Sequence, residues 1–500
     1  MLVVAPMETG AGTRLADVLG ALSSATDLAA GVPMETSLRT CLLATALGTA
    51  LGFDTSACAD VYLSALLRHL GCTSVSHEAS KLGGGDDHAV QVRIDALDRG
   101  QLDEPQRRRT AGVLRLVCRQ AESLAADLGM SPGVLRVLAQ LHERYDGAGV
   151  DGLRGDQIDW AARIVHVAIV VEVFHRQDGR ERALDEIRCR RGTQLDPNIC
   201  DLFLNDARSF WPVIEKTSLW DAYLRAEPGT PRLVSSQELD SVALAFARYT
   251  DLKAPAFLGH SPAVAALAVA AGKQEGLAAP ALSDLHRAGL LHDLGLASVP
   301  NGILEKPAAL TPSEWERVRL HAYYTDRILS RVPALASLAH AAGFHHERCD
   351  ESGYPRGIAP TEGDRSARLL ACADAYRALT EARPYRAAFA AAEAASVLSS
   401  EARAGRLCPR AVDCVIAAAG LRSSAFVAAG ARLPAGLTAR EVEVLAHVAR
   451  GLTSKEVAVL LSISTRTVQH HLEHIYEKIG VTTRAAAALY AVRNDLVQDG

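Results

Sequence analysis

The chain of 500 residues is 49% hydrophobic and 22% charged, which excludes an intrinsically disordered protein and predicts about two to four globular domains. A formal net charge of −5 excludes attraction of nucleic acid by the chain as a whole, so any contact with DNA has to be local. Aromatic residues make up only 5% while alanine is abundant, a composition that favours closely packed helices and predicts an all-α fold class. No run of about 18 consecutive apolar residues occurs, and the stretch from Met1 to Gly10 lacks the basic flank of a secretion signal, so a cytoplasmic protein without membrane contact is expected. The ten cysteines contain no C-x-x-C pair, the pattern of reduced thiols rather than of a disulfide or zinc scaffold.

Residues 1–33 carry no motif and are treated as an N-terminal segment. Beyond them the chain echoes itself. His142-Glu143-Arg144-Tyr145-Asp146-Gly147 returns 204 positions later as His346-Glu347-Arg348-Cys349-Asp350-Glu351, and Leu66-Leu67-Arg68-His69-Leu70-Gly71 returns as Leu290-Leu291-His292-Asp293-Leu294-Gly295. A third echo pairs Ala162-Arg163 with Ala367-Arg368, in the same order. The first copy is about 20 residues longer and includes Gly83-Gly84-Gly85-Asp86-Asp87, which reads as a loop. Turn-rich Glu227-Pro228-Gly229-Thr230-Pro231 marks a boundary near residue 232, and a Gly- and Pro-containing stretch after Gly420 reads as a linker. These signals predict two similar helical domains over 34–232 and 233–425, a linker over 426–436 and a small terminal domain over 437–500.

The second copy holds the residues able to do chemistry: His260, the pair His292-Asp293, His321, the pair His345-His346, and Asp374. Five imidazoles and two carboxylates suit a divalent transition metal such as iron, manganese or zinc, and a carboxylate can bridge two ions about 3.5–4 Å apart. Residues from about 250 to 390 resemble the HD-GYP domain, a helical metal-dependent phosphohydrolase family that cleaves cyclic dinucleotides. The resemblance rests on His292-Asp293-Leu294-Gly295, Ile303-Leu304-Glu305-Lys306-Pro307, His345-His346-Glu347-Arg348, Gly353-Tyr354-Pro355 and Arg383-Pro384-Tyr385-Arg386. It implies that His260, His292, Asp293, His321, His345, His346 and Asp374 hold two metal ions, with His292 and Asp293 at the catalytic centre and a nucleotide or cyclic dinucleotide as ligand. Four positions depart from the family pattern. Leu296 stands where a lysine usually serves the phosphate, Asn301 replaces a usual acid, Glu351 a usual glycine and Arg377 a usual aspartate. The first copy has Thr36, Arg68, His69, Leu141 and Ile169 at the ligand positions and is expected to hold no such metals.

From Leu437 the pattern is four short helices. Thr438 with Glu441 and Thr453 with Glu456 form capping boxes, and Val468, Leu472, Ile475 and Ile479 make a buried stripe on a third helix from about Thr465 to Lys478. This stretch resembles the LuxR-type helix-turn-helix through Leu437-Thr438-Ala439-Arg440-Glu441, Gly451-Leu452-Thr453-Ser454-Lys455-Glu456, Ile463-Ser464-Thr465-Arg466-Thr467-Val468 and Lys478-Ile479-Gly480-Val481. The resemblance implies that Thr465, Arg466, Gln469, His470 and Glu473 lie along a major groove, while Ser454, Lys455, Thr467 and Arg484 are placed for phosphates. Seven basic and seven acidic residues leave this segment neutral, so a homodimer on adjacent half-sites is expected on DNA. The expected function is a transcriptional regulator whose HD-GYP-like region senses a phosphorylated ligand through its metals. The alternatives are an active phosphodiesterase joined to a DNA-binding domain, and a metal-stabilised scaffold.

Overall fold

A computed structural model describes residues 12–96, 103–361, 363–421, and 434–494 with 496, apart from 450, 451, 462 and 482. Residues 1–11 of the N-terminal segment, 426–433 of the expected linker, and Gly451 lie outside the described residues. The fold is all-α, as the composition predicts. Among the described residues the strands are Thr13–Arg14 and Leu233–Val234, an antiparallel pair in which Thr13 faces Val234. The chain divides into two compact units, Met1–Leu421 and Arg422–Gly500.

In the first unit one continuous apolar core runs from Leu15 to Ile416, on both sides of the boundary expected near residue 232. The helix Leu15–Ala29 lies almost wholly inside it. Its buried residues include Ser23, Ser24, Thr26 and Asp27, so burial there does not follow a simple apolar period. The segment Pro255–Glu275 is apolar and long enough to cross a membrane by those two measures alone. Within the fold Ala265, Ala268 and Ala271 are fully buried, and a side chain at Gly289 would meet Ala265 at 2.6 Å, so close helix packing accounts for that apolar character.

Sequence echoes correspond to repeated local geometry. Asp27 accepts hydrogen bonds from the amide and hydroxyl of Ser37, and Asp251 accepts the same two from Ser261. A Cβ on Gly71 would lie 2.1 Å from the carbonyl oxygen of Val117, and one on Gly295 would lie 2.1 Å from that of His321. Only glycine permits these approaches.

The second unit packs Ala439–Ala449, Ser454–Leu460, Thr465–Ile479 and Arg484–Arg493 around Val444, Leu445, Val457, Val468, Leu472 and Ile475. Both expected capping boxes form: Thr438 and Glu441 exchange hydrogen bonds, as do Thr453 and Glu456. Ser464 caps the third helix, and Gly480 ends it in the left-handed conformation at φ 69°. On the first helix Val444, Leu445 and Val448 are buried and Val442 is half-buried.

Candidate metal centre

Five backbone elements deliver the seven donors. His260 opens the helix His260–Gln274, with Gly259 before it at φ 79°, and His292-Asp293 follow the end of Ala279–Leu291. His321 lies within Pro312–Leu329, whose start is fixed by the Thr311 and Glu314 capping box. His345 and His346 follow Ala336–Gly343, and Asp374 projects from Arg365–Thr380. The contact of Gly295 with the His321 backbone brings His321 beside Asp293.

All seven converge. The Asp293 carboxylate divides its oxygens: Oδ2 lies 3.7 Å from His260 Nε2 and 3.4 Å from His292 Nε2, whereas Oδ1 lies 3.4 Å from His321 Nε2 and 3.6 Å from His345 Nε2. Asp374 Oδ1 sits 3.3 Å from His260 Nε2 and 3.8 Å from His292 Nε2, and its Oδ2 is 4.0 Å from His346 Nδ1. Donor atoms thus gather in two groups, one of Asp293, His321, His345 and His346 and one of His260, His292 and Asp293, sharing Asp293. A shared carboxylate between two nitrogen-rich groups is the arrangement a pair of bridged ions requires.

The outer hydrogen bonds fix which nitrogen faces inward. His292, His321 and His345 each direct Nδ1 at the backbone oxygen three residues earlier, those of Gly289, Val318 and Ala342, and His260 Nδ1 meets Glu381 Oε2 at 2.7 Å. The rings of His292, His321 and His345 then present Nε2 to the centre as a lone-pair donor, and that of His260 does so once a metal displaces its proton. His292 Nε2 is fully buried and has no hydrogen-bond partner, an orphaned acceptor that a cation would satisfy. Burial holds His292 and His346 below the ordinary imidazole range and takes His321 down to about 4, so these rings are neutral near pH 7 and ready to ligate. His260 behaves oppositely. Burial opposes its charge, but hydrogen bonds to Asp374 and Glu381 outweigh that and raise it to about 10. The donor set and its outer shell therefore fit divalent transition metals.

A cleft of about 590 Å³ opens onto His260, Asp293, His321, His346 and Asp374, a size suited to a small-molecule ligand. Its walls include Phe257, Leu296 and Trp315, together with the cations Lys306 and Arg383. Leu296 is buried against Val299 and Ile303, so the departure from the family lysine is accommodated as apolar wall. Lys306 pairs with Glu314, and Arg383 pairs with Glu381 at 3.2 Å. Tyr354 stacks on His346 at 4.6 Å. Glu351 adopts φ 65°, the left-handed conformation that explains why glycine is usual there. Arg377 bonds Glu381 at 3.0 Å, and Asn301 is fully buried. Sequence reasoning missed Glu381, Lys306 and Arg383 as site residues, although the last two stand in the quoted motifs.

In the first half the corresponding positions lack this set. His69 Nδ1 meets Asp27 at 3.3 Å, and Thr36, Arg68, Leu141 and Ile169 bring no further acid or paired histidine. Among the described residues both metal-type groups fall in the second half. In the C-terminal unit Lys455, Thr465, Arg466, Thr467, Gln469, His470 and Glu473 are exposed, and Ser454 and Arg484 are half-buried. The Arg484 guanidinium donates to the backbone oxygen of Leu452, tying the fourth helix to the start of the second.

A helical protein with histidines and carboxylates gathered under a ligand-sized cleft has the donors and the room for a metal and a small ligand. Comparison with known proteins agrees. Residues 245–410 match the HD domain family, and residues 435–491 match the luxR family of bacterial regulatory proteins. The chain is 29% identical over 420 residues, 77% of its length and 90% of the relative's, to a 3'3'-cGAMP-specific phosphodiesterase of Vibrio cholerae. Over 136 residues it is 41% identical to a cyclic di-GMP phosphodiesterase of Pseudomonas aeruginosa, a match that spans 33% of that protein. The crystal structure of a cyclic GMP-AMP specific phosphodiesterase of V. cholerae shares the fold, with a TM-score of 0.59 at 24% identity over 82% of this chain and 99% of that one. The chain thus joins an HD domain to a C-terminal LuxR-type domain, and its relatives are HD-GYP phosphodiesterases.

Proposed function

We propose that the protein is a metal-dependent cyclic-dinucleotide phosphodiesterase carrying its own DNA-binding domain. The observation that carries this reading is the division of Asp293 between two histidine groups beneath the cleft. His260, His292, Asp293, His321, His345, His346 and Asp374 would hold two ions of iron, manganese or zinc. When bound, such ions supply a hydroxide nucleophile and stabilise charge on the phosphate. Lys306 and Arg383 hold the phosphodiester, taking the place of the lysine absent at Leu296. Phe257 and Trp315 offer apolar faces for the bases. His292 and Asp293, buried and fixed by Gly289 and by the neighbouring rings, keep the centre in one geometry during the reaction.

The terminal domain reads DNA through Thr465, Arg466, Gln469, His470 and Glu473 and contacts phosphates through Ser454, Lys455, Thr467 and Arg484, as a homodimer. Its work is then in the cytoplasm, beside the DNA it reads. A second reading, a receptor that holds its nucleotide and turns it over slowly, is favoured by the buried Leu296. One experiment separates them: metal analysis of anaerobically purified protein, with turnover of 3'3'-cyclic GMP-AMP and cyclic di-GMP followed by chromatography. Hydrolysis at about 1 per second or more supports the enzyme. Metal-dependent binding with far slower release of product supports the receptor, and metal without nucleotide binding defeats both.

A further inference from the structure

We propose that the loop and helix following Gly83 form a buried clamp that positions the wall of the cyclic-dinucleotide cleft, with Asp87 as its positioning residue. This inference rests on the phosphodiesterase reading for its substrate.

The Asp87 carboxylate is 2% exposed and divides its two oxygens between two parts of the second half. Oδ2 lies 2.7 Å from Lys253 Nζ, itself 1% exposed, and Oδ1 accepts the backbone amide of Asn301 at 2.8 Å. Asn301 closes the triangle by donating Nδ2 to the backbone oxygen of Lys253 at 2.5 Å. Neighbouring contacts reinforce the hold. The Gly302 amide donates to Gly85 O at 2.9 Å, His88 Nε2 lies 3.2 Å from Ala297 O, and His77 Nδ1 pairs with Glu305 at 2.8 Å. A side chain on Gly302 would come within 2.6 Å of the Gly85 backbone, so the two chains are in direct apposition.

What is gripped is part of the cleft. Leu296, Ile303, Leu304 and Lys306 line it from the segment held at Ala297, Asn301, Gly302 and Glu305. Lys253 leads in four residues to Phe257, which lines the cleft and packs against the cluster of Leu296, Val299 and Ile303. Asp87 therefore ties together the two segments that build this wall of the cleft, one of which carries Lys306. Taking two charges out of water is costly, and a buried pair is often no more stabilising than an apolar replacement. Such a pair earns its place by fixing geometry, and here the geometry fixed is that of a ligand site. The same loop lies among the residues by which the first copy exceeds the second, which gives those extra residues a role.

The test is Asp87→Asn in the full-length chain, with kcat, KM for the cyclic dinucleotide, bound metal and amide hydrogen exchange over residues 297–305 measured together. A misplaced wall raises KM about tenfold or more while kcat stays within about twofold. Metal content is unchanged and exchange over 297–305 accelerates. An unchanged KM overturns the proposal, as does a loss of metal in proportion to activity, which would place the effect at the metal centre. His77→Ala, at the partly exposed edge of the clamp, is the second variant should Asp87→Asn fail to fold, with a smaller rise in KM expected and no rise overturning the idea. If the unaltered protein hydrolyses no cyclic dinucleotide, the phosphodiesterase reading falls by itself. The clamp is then judged on exchange alone, and undiminished protection over 297–305 in the variants overturns it.

Discussion

The two halves of the first unit repeat several local contacts around different contents. In both, an aspartate anchors a serine ten residues on, and a glycine lets one helix touch the backbone of another. Glu143 accepts the Asp151 amide in one half, as Glu347 accepts those of Arg356 and Ile358 in the other. At the centre the halves part. His292 and Asp293 face four other histidines and Asp374, whereas at the corresponding place His69 turns to Asp27, and nearby Arg176 pairs with the buried Glu172 at 3.1 Å. The first half pairs its central histidine and glutamate with neighbouring side chains. In the second the buried His292 Nε2 has no hydrogen-bond partner, and a cation would satisfy it. Scaffold and chemistry are thus separable, because glycine contacts and backbone-bonded carboxylates build the former while donor identity alone decides the latter.

The largest expected effect breaks that contrast at its centre. His292→Ala or Asp293→Ala abolishes metal binding, since each removes a donor from the shared carboxylate arrangement. Arg68→Ala and His69→Ala leave metal content unchanged. Elemental analysis of the purified variants checks both, and equal metal loss from either pair would refute the assignment of the metals to the second half.

Next in size is Leu296→Lys. A single donor aimed at transition-state charge is worth about 100-fold to 1000-fold, but this side chain packs against Val299 and Ile303, so burying its amine takes back part of the gain. Turnover should rise, by no more than about 100-fold. A fall in turnover with metal content intact would show that Lys306 and Arg383 already serve the phosphate fully.

A smaller effect is expected in the terminal unit, where Arg466 and Lys455 are both exposed. Arg466→Ala costs roughly 1–3 kcal/mol on the preferred sequence if its side chain reaches a base edge, while Lys455→Ala weakens all sequences about equally. Footprinting on specific and scrambled DNA separates the two. A chain ending at Pro434 that still selects the same DNA would defeat the assignment of reading to this unit.

How much of this was legible in the sequence depended on the distance over which each residue acts. The terminal domain could be read almost residue by residue, because capping boxes and a helical stripe are local patterns. The seven donors were legible as residue types. Their convergence was not, since it depends on Gly289 and Gly295 admitting neighbouring backbones. Glu381 escaped notice because it works only through His260, 121 positions away. Asp87 escaped because its partner Lys253 lies 166 positions on and neither residue belongs to a motif. Asn301 reads against the family as a replaced acid, yet it is part of the packing that joins the halves.

The smallest effect tests whether the scaffold is shared down to its backbone. At two pairs of corresponding positions the backbone is left-handed in both halves: Glu35 at φ 76° against Gly259 at 79°, and Gly147 at 83° against Glu351 at 65°. Each half has thus kept one glycine and replaced the other with glutamate. A non-glycine residue in this region costs about 1–2 kcal/mol, partly offset by the greater freedom glycine has when unfolded. Glu351 is exposed, so Glu351→Gly should stabilise the protein by about 0.5–1 kcal/mol. Glu35 differs, because its carboxylate pairs with Arg331 at 2.5 Å, and Arg331 in turn lies over the Trp220 ring. Partly exposed pairs of this kind contribute up to about 1 kcal/mol, so Glu35→Gly should gain nothing or lose slightly. Denaturant unfolding of the two variants orders them, with Glu351→Gly the more stable. The reverse order would mean that strain at Glu351 has already been relieved by contacts of its own.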